Sequence, residues 1–167
     1  MDTIQRAEQP PDGDERGVVL GWLAFHRDAL AAKCRGLTDE QLADRSAPPS
    51  ALSVLGIVRH MADMERAYGA WALGPKTDPV WVWGTYESGN EPDFDCDASM
   101  AQESLRLWRD ETHRTDEALA THPSFDSIGQ GNGLSVRWNL AKLVGEYARH
   151  NGHADLLRER IDGQTGE

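Results

Sequence analysis

Apolar side chains recur at three- and four-residue steps in four separate stretches of the chain. The stretches are residues 17–35, 53–71, 99–121 and 135–161. This period is typical of amphipathic α-helices, in which one face is apolar and the opposite face is polar. Alternating apolar and polar residues, the mark of half-buried strands, form no convincing run. The pattern therefore predicts an all-α fold, a four-helix bundle in which each helix buries its apolar face against the others.

Local signals add helix starts and one long connection. TDEQ at residues 38–41 is a capping box that predicts a short additional helix, and Ser99 with Gln102 predicts the start of the third long helix. Gly, Pro and Asp recur at short intervals over residues 72–98, which predicts a long loop with residues 80–83, VWVW, as a short extended segment. The acidic residues of this loop are expected to form a solvated surface: Glu87, Glu91, Asp93, Asp95 and Asp97.

Length and charge limit the partners. The 167 residues suit one domain over residues 1–167, with residues 1–16 as a flexible N-terminal extension. A formal charge of -11 would repel nucleic acids and anionic lipids, so we expect neither a nucleic-acid nor a membrane partner. The polar start and the lack of any run of membrane-spanning length predict a cytoplasmic protein. Cys34 and Cys96 form no CxxC pair and are interpreted as reduced thiols.

Three polar residues of the last helix lie where apolar residues are expected. At about 100° per residue, Glu146, His150 and His153 fall within about 60° of one another. Leu143 and Leu157 lie on or beside the same stripe. Burying such polar groups without partners would cost several kcal/mol each. The helical pattern therefore predicts that these three side chains share a partner inside the bundle.

Two further histidines lie on apolar faces of other helices. His60 lies between Ile57 and Met64, and His26 precedes Leu30 on the stripe of the first helix. A hydrogen-bonded core network would satisfy any one of these histidines. The whole set favours a metal site, because imidazole and carboxylate ligands from facing helices are how bundles hold divalent metals in their interiors. Zinc is the first expectation, with nickel or iron as alternatives.

Two segments resemble a known family. They are GIVRHMADMER at residues 56–66 and EYARHNGHADLLRERIDG at residues 146–163. Both resemble the DinB-like superfamily and, within it, the actinobacterial mini-circle protein group, and the similarity covers most of the chain. The resemblance implies a four-helix bundle, often dimeric, in which a histidine of the second helix and a pair four residues apart on the fourth hold a divalent metal.

The resemblance implies which residues of this chain are the metal ligands. The second-helix histidine becomes His60, and the pair becomes Glu146 and His150, similar to the arrangement in mycothiol-dependent maleylpyruvate isomerases. His153 lies one turn from His150 and could replace Glu146, add a fourth ligand or orient a bound water. The preferred set is His60, His150 and His153, with Glu146 as a further ligand or general base. Periodicity does not choose among them, since all three residues of the fourth helix share a face.

The resemblance also implies an activity. We expect a metal-dependent enzyme of the low-molecular-weight thiol S-transferase or isomerase type, with mycothiol as the thiol, a small-molecule substrate, and Glu146 and His26 as catalytic candidates. His26 could instead be a hydrogen-bonded core histidine. The alternatives are a non-catalytic, stress-related metal- or ligand-binding protein and a metal-dependent hydrolase. Trp81 and Trp83 of the long loop could roof a pocket over the metal or cover one end of the bundle.

Overall fold

The computed structural model describes residues 8–78, 80–85 and 91–164. Its α-helices, in chain order, are α1 (Glu15–Cys34), α2 (Asp39–Ala43), α3 (Val54–Glu65), α4 (Trp71–Leu73), α5 (Ala101–Ala120) and α6 (Val136–Asp162). A π-helical turn, Arg66–Ala70, joins α3 to α4, and a 3-10 turn, Ala98–Met100, leads into α5. Within these residues there is no strand, only an isolated bridge between Ile128 and Ser135. The all-α prediction is confirmed.

The long helices pack side by side around one apolar core. Helix α6 contacts α1 and α3, and α3 also contacts α5. Fully buried side chains from all four of these helices fill the core, among them Leu23, Leu30, Ile57, Met61, Leu119, Leu140 and Leu143. Burying each such side chain contributes about 1.5–3 kcal/mol, so the helices are held mainly by their apolar faces. No helix in the described part of the chain is long and apolar enough to cross a membrane.

Side-chain caps fix where most of the helices begin. The Asp14 carboxylate accepts from the Gly17 N–H at 2.6 Å, and Ser53 caps α3 in the same manner. Thr38 and Gln41 form the predicted capping box at the start of α2. Each cap satisfies an amide that the helix leaves without a partner, which contributes about 1 kcal/mol. The helix starts read from the sequence therefore hold for α1, α2 and α3 to within a few residues.

The predicted capping box at the start of α5 is wrong. The Asp97 carboxylate accepts from the Ser99 N–H at 2.8 Å, so the cap lies one 3-10 turn before the helix. Gln102 does not reach back to Ser99. Its amide donates to the Asp39 carboxylate at 2.7 Å and joins α5 to α2. An aspartate just upstream thus took the capping role, because its carboxylate accepts amide protons as readily as a serine hydroxyl.

The π-helical turn after α3 changes which residues point inward. Tyr68 and Trp71, which lie in the stretch 53–71 predicted as one amphipathic helix, are only partly buried, whereas Gly69 is buried. One added residue in a π turn rotates everything that follows it relative to an α-helix. A Cβ on Gly69 would lie 2.0 Å from the Thr115 hydroxyl oxygen. Glycine therefore allows the turn and α5 to approach closely.

Three sequence predictions concern segments outside the helices. Residues 80–83 form no strand. The expected flexible extension over residues 1–16 falls partly on residues 1–7, which lie outside the described residues, and α1 already begins at Glu15. The long loop runs from residue 74 to residue 97. Its described parts pack on α3 and bring a side chain to the site described below.

Candidate metal centre

Helices α3 and α6 bring His60, Glu146 and His150 together. Glu146 Oε2 lies 3.5 Å from His150 Nε2 and 3.9 Å from His60 Nε2. The two imidazole rings have their centroids 4.5 Å apart. One ligand atom from each of the three residues lies within 4.8 Å of the other two. These three residues are called the site trio below.

Helical geometry explains the trio. Glu146 and His150 are four residues apart on α6, so their side chains leave the same face of the helix. His60 lies on the face of α3 that packs against α6, beside the buried Ile57 and Met61. The side chains of the trio are 17% exposed for His60 and 11% exposed for the other two. The site is therefore mostly enclosed but can be reached from solvent.

His60 is held by the long loop. Its Nδ1 lies 2.8 Å from Asp93 Oδ2, and the Phe94 ring stacks on the imidazole with centroids 5.3 Å apart. Because Nδ1 faces Asp93, Nε2 is the ring nitrogen that faces Glu146. A histidine whose second nitrogen is bound to a carboxylate is a common arrangement around protein metals.

Burial of Asp93 corrects the prediction that the acidic loop residues form a solvated surface. Asp93 is 1% exposed. Glu91, Asp95 and Asp97 are exposed as expected, and Glu87 lies outside the described residues. The prediction failed for Asp93 because its carboxylate has a specific partner in His60, which offsets the cost of leaving water.

Arg59 fastens this part of the loop to α3. Its buried guanidinium donates to the Asp93 carbonyl at 2.8 Å and to the Pro92 carbonyl at 2.7 Å. The guanidinium also lies 3.9 Å above the Trp83 ring, and Trp83 Nε1 donates to the Arg59 carbonyl at 2.7 Å. Trp83 thus attaches the loop to α3 at Arg59, the residue next to His60. Trp81 is half-buried.

Glu146 divides its two oxygens between different partners. Oε1 accepts from the Lys142 ammonium one turn earlier on α6, while Oε2 faces the two histidines. Burial opposes ionisation of Glu146, but the hydrogen bond and charge of Lys142, with His60 and His150, lower its pKa below the ordinary value. The carboxylate is therefore ionised at neutral pH. An anionic oxygen at this position suits a divalent cation.

His150 is neutral at physiological pH. It is 9% exposed, and burial, reinforced by the nearby His60 and His153, lowers its pKa to about 4 in spite of Glu146. A neutral imidazole keeps a lone pair available for a metal. His150 Nδ1 lies 3.4 Å from His153 Nδ1, so the partly buried His153 ring touches the side of His150 that faces away from Glu146.

The second predicted catalytic residue, His26, has different surroundings from Glu146. The described contacts of its ring are with Trp22 and Phe25, at centroid distances of 5.9 Å and 5.5 Å. Burial lowers the pKa of His26. Its backbone carbonyl accepts from the Asn151 amide at 3.0 Å, next to His150 on α6. A catalytic role for His26 stays a prediction.

The site trio fits a divalent cation. Zinc bonds of about 2.0–2.2 Å to imidazole nitrogen and carboxylate oxygen place tetrahedral ligands about 3.3–3.5 Å from one another. The observed separations are 3.5 Å and 3.9 Å, and all three ligand atoms lie within 4.8 Å of one another, so side-chain rotation would have to bring them closer together around an ion. Two imidazole nitrogens and one carboxylate oxygen suit zinc, nickel or iron, and three protein ligands leave a position for an exogenous molecule.

From the sequence, Trp83 was expected only to roof the pocket or to cover one end of the bundle, and Asp93 was expected on a solvated surface. Asp93 and Trp83 lie in a segment without periodicity, where no pattern tells which side chain turns inward. Arg59 did leave a signal, since it is a charged residue inside the apolar run GIVRHM beside His60. A buried arginine needs acceptors, and here the backbone carbonyls of the loop supply them.

Comparison with known proteins shows the family of the chain. A family model described as Mycothiol-S-transferase matches residues 18–163. The matched span includes α3, the long loop and α6, and therefore every residue of the site trio and its partner Asp93. No curated protein and no solved structure matches the chain.

Proposed function

We propose that this chain, which belongs to the mycothiol-S-transferase family, is a metal-dependent enzyme of the low-molecular-weight thiol S-transferase or isomerase type. The family is a DinB-like one and implies a small-molecule thiol as substrate. The observation that carries the proposal is the convergence of His60, Glu146 and His150 on one point between α3 and α6. The packing of four long helices supports a four-helix bundle of the DinB-like type, and the resemblance favours the mini-circle group within it.

Our ligand assignment is His60 Nε2, Glu146 Oε2 and His150 Nε2. The distances favour Glu146 over His153 as the third ligand, because Glu146 Oε2 faces both histidines while His153 contacts the opposite nitrogen of His150. His153 then becomes a partner of His150. This assignment revises the set expected from the sequence, in which His153 ranked ahead of Glu146.

A divalent cation held by the trio would lower the pKa of a bound thiol and so supply a thiolate nucleophile at neutral pH. The ionised Glu146 contributes the negative charge that retains the cation, and Lys142 holds the other carboxylate oxygen. His153 is partly exposed and touches His150, which makes it our candidate for carrying the thiol proton to solvent. His26 is proposed as a donor to the substrate.

The proposal also covers the identity of the metal and the thiol, the cellular location and the oligomeric state. Zinc is the metal we expect first, with nickel or iron as alternatives, and mycothiol is the expected thiol. Cys34 and Cys96 are both free thiols, as expected in a reducing compartment, which supports a cytoplasmic location. The resemblance further implies a homodimer.

A cobalt-substituted form tests the thiol chemistry. Adding a low-molecular-weight thiol to the cobalt-loaded protein should produce a sulfur-to-cobalt charge-transfer band in the near ultraviolet and shift the visible bands. The same addition to the His60→Ala/His150→Ala variant should change nothing, since that variant lacks the site. Unchanged spectra of the cobalt-loaded wild-type protein with every physiological thiol would contradict the proposed activity.

The non-catalytic alternative makes a different demand on the site. A structural metal would need a fourth protein ligand in place of the open position. His153 is a candidate for this ligand, because its ring already contacts His150. A cobalt spectrum typical of four protein ligands, insensitive to thiols, would favour that alternative.

A further inference from the structure

Asp93 meets two neighbouring residues of α3 at once. Its backbone carbonyl accepts from Arg59 at 2.8 Å, and its Oδ2 lies 2.8 Å from His60 Nδ1. The other carboxylate oxygen, Oδ1, accepts from the Phe94 N–H at 3.1 Å. Both oxygens of Asp93 therefore have a defined donor. This leaves the carboxylate little freedom to turn away from His60.

A carboxylate has consequences for the histidine that faces it. It has only acceptor atoms, so the imidazole nitrogen that faces it must carry a proton. In neutral His60 the proton is then on Nδ1, and Nε2 keeps its lone pair. Nε2 is the atom that faces Glu146 and His150. Asp93 thereby selects the one neutral tautomer of His60 that can donate electrons to a cation at the trio.

We propose that Asp93 is a positioning residue that fixes the metal-binding tautomer and ring orientation of His60. The inference rests on the proposed function, because it assumes that the trio binds a divalent cation. Asp93 itself touches neither the cation position nor the substrate. It acts through His60, and Arg59 holds the loop backbone in the place from which Asp93 can do so.

Replacing Asp93 by asparagine can place a hydrogen-bond donor, instead of an acceptor, opposite His60 Nδ1. If the amide keeps its oxygen on the Phe94 N–H, its NH₂ group faces His60 Nδ1 and can only donate. His60 would then accept at Nδ1 and carry its proton on Nε2, where that proton blocks a metal bond. If the amide turns round, its NH₂ group faces the Phe94 N–H and one hydrogen bond is lost. Alanine removes the partner without imposing the wrong tautomer.

The experiment compares Asp93→Asn and Asp93→Ala with wild type. Zinc dissociation constants are measured on the purified, metal-stripped protein by competition with a chromophoric chelator, and melting temperatures are recorded without metal. We expect Asp93→Asn to weaken zinc binding by about 10- to 100-fold, as loss of such partners does elsewhere. Asp93→Ala should weaken zinc binding less than Asp93→Asn, although it lowers the melting temperature more.

Asp95→Asn provides a matched control, because Asp95 is exposed two residues further along the same loop. It removes the same charge and should leave zinc affinity within about twofold of wild type, well short of the loss expected at a ligand's partner. Equal losses for Asp93→Asn and Asp95→Asn would show that loop charge alone matters and would overturn the inference.

A measurement on the wild-type protein avoids dependence on folded variants. Nitrogen-15 NMR of the metal-free protein, recorded at a pH where the His60 ring carries a single proton, should show that proton on Nδ1 and none on Nε2. The opposite tautomer would overturn the role of Asp93. The affinity data distinguish a failure of the proposed function from a failure of the inference about Asp93. If wild type binds neither zinc, nickel nor iron, the proposed function fails and the inference with it. If Asp93→Asn binds the metal as tightly as wild type, only the inference fails.

Discussion

Glu146 and Tyr147 are neighbours on α6, yet they belong to polar clusters of opposite kinds. Glu146 joins the site trio with His60 and His150. Tyr147 joins a second cluster, the core network, which consists of Arg27, Glu65, Tyr147 and Trp108. Both clusters link α3 to α6. Comparing them shows which kind of polar burial indicates a ligand site.

The core network is saturated. Arg27 donates two hydrogen bonds of 2.7 Å to the two oxygens of Glu65, and the Tyr147 hydroxyl donates to Glu65 at 2.6 Å. Trp108 Nε1 then donates to the Tyr147 oxygen at 2.8 Å. Burial opposes the Arg27 charge, but the Glu65 carboxylate raises the pKa of Arg27 well above its usual value. Each of these groups already has a partner within the protein, so the network needs no ligand.

The site trio is arranged in the opposite way. Its inner atoms face one another at 3.5 Å and 3.9 Å, longer than the hydrogen bonds of about 2.7–3.2 Å that polar groups usually make. Its close partners, Asp93, Lys142 and His153, contact the other atoms of the three residues. A buried polar cluster therefore indicates a ligand-binding site when its lone pairs converge on one point and make no close hydrogen bonds there.

Removing the centre of the core network should have the largest effect on folding. In Glu65→Ala the Arg27 guanidinium, 14% exposed, stays buried without its main counterion. We expect the free energy of unfolding to fall by about 3–5 kcal/mol, as for other broken buried pairs. Urea denaturation of the metal-free protein measures it. The control is Asp116→Asn. The Asp116 side chain also pairs with Arg27 but is 58% exposed, so this substitution should lower the free energy of unfolding by less than about 1 kcal/mol. Similar losses for both variants would contradict the distinction between the clusters.

Replacing two members of the trio should affect metal binding more than folding. His60→Ala/His150→Ala removes both nitrogen ligands, and we expect zinc retention to disappear in elemental analysis, because one carboxylate cannot hold the ion alone. The metal-free variant should lose less stability than Glu65→Ala, although Asp93 loses its histidine partner. His113→Ala is the control, since His113 is exposed on α5. Wild-type zinc content in the double variant would show that the trio is not the site.

A smaller effect separates the two candidates for the third ligand. His153→Ala should weaken zinc binding by about tenfold or less, as expected for a partner of His150. Glu146→Gln should weaken it more, because it removes the anionic ligand atom between the histidines. Calorimetric titration of both metal-stripped variants measures the difference. The reverse order would restore His153 as the ligand expected from the sequence.

The smallest effect concerns the protein's own thiols. Burial raises the pKa of Cys34 to about 12, so at pH 8 its thiolate fraction is on the order of 10⁻⁴. Burial also raises the pKa of Cys96. Iodoacetamide should modify the folded protein far more slowly than the unfolded chain, as followed by mass spectrometry, and Cys34→Ala should keep any thiol-transfer activity. Rapid labelling of native Cys34 would indicate a reactive cysteine and weaken the case for an added thiol.

The sequence predicts the helix faces better than their partners. Three- and four-residue periodicity places His60, Glu146 and His150 on inner faces, because rotation along a helix is regular. It does not pair Tyr147 with Glu65, since that depends on how two helices pack. The π turn at Arg66–Ala70 also leaves no periodic signal of its own. The one added residue changes the helical phase only of the residues that follow it.

Loops were the least predictable part for a related reason. Asp93 and the four other acidic residues predicted to be solvated lie in one segment, and nothing in their spacing marks Asp93 as the buried one. Its burial depends on Arg59 and Trp83, which fix the loop backbone against α3. Such contacts join residues more than twenty positions apart. Their geometry is set by the folded chain and not by local pattern.

The most direct test of the account is a crystal structure of the zinc-loaded protein with anomalous diffraction data collected at the zinc edge. We expect one anomalous peak between His60 Nε2, Glu146 Oε2 and His150 Nε2, with a coordination position left for solvent or thiol. A peak elsewhere, or a zinc ion enclosed by four protein ligands, would contradict it.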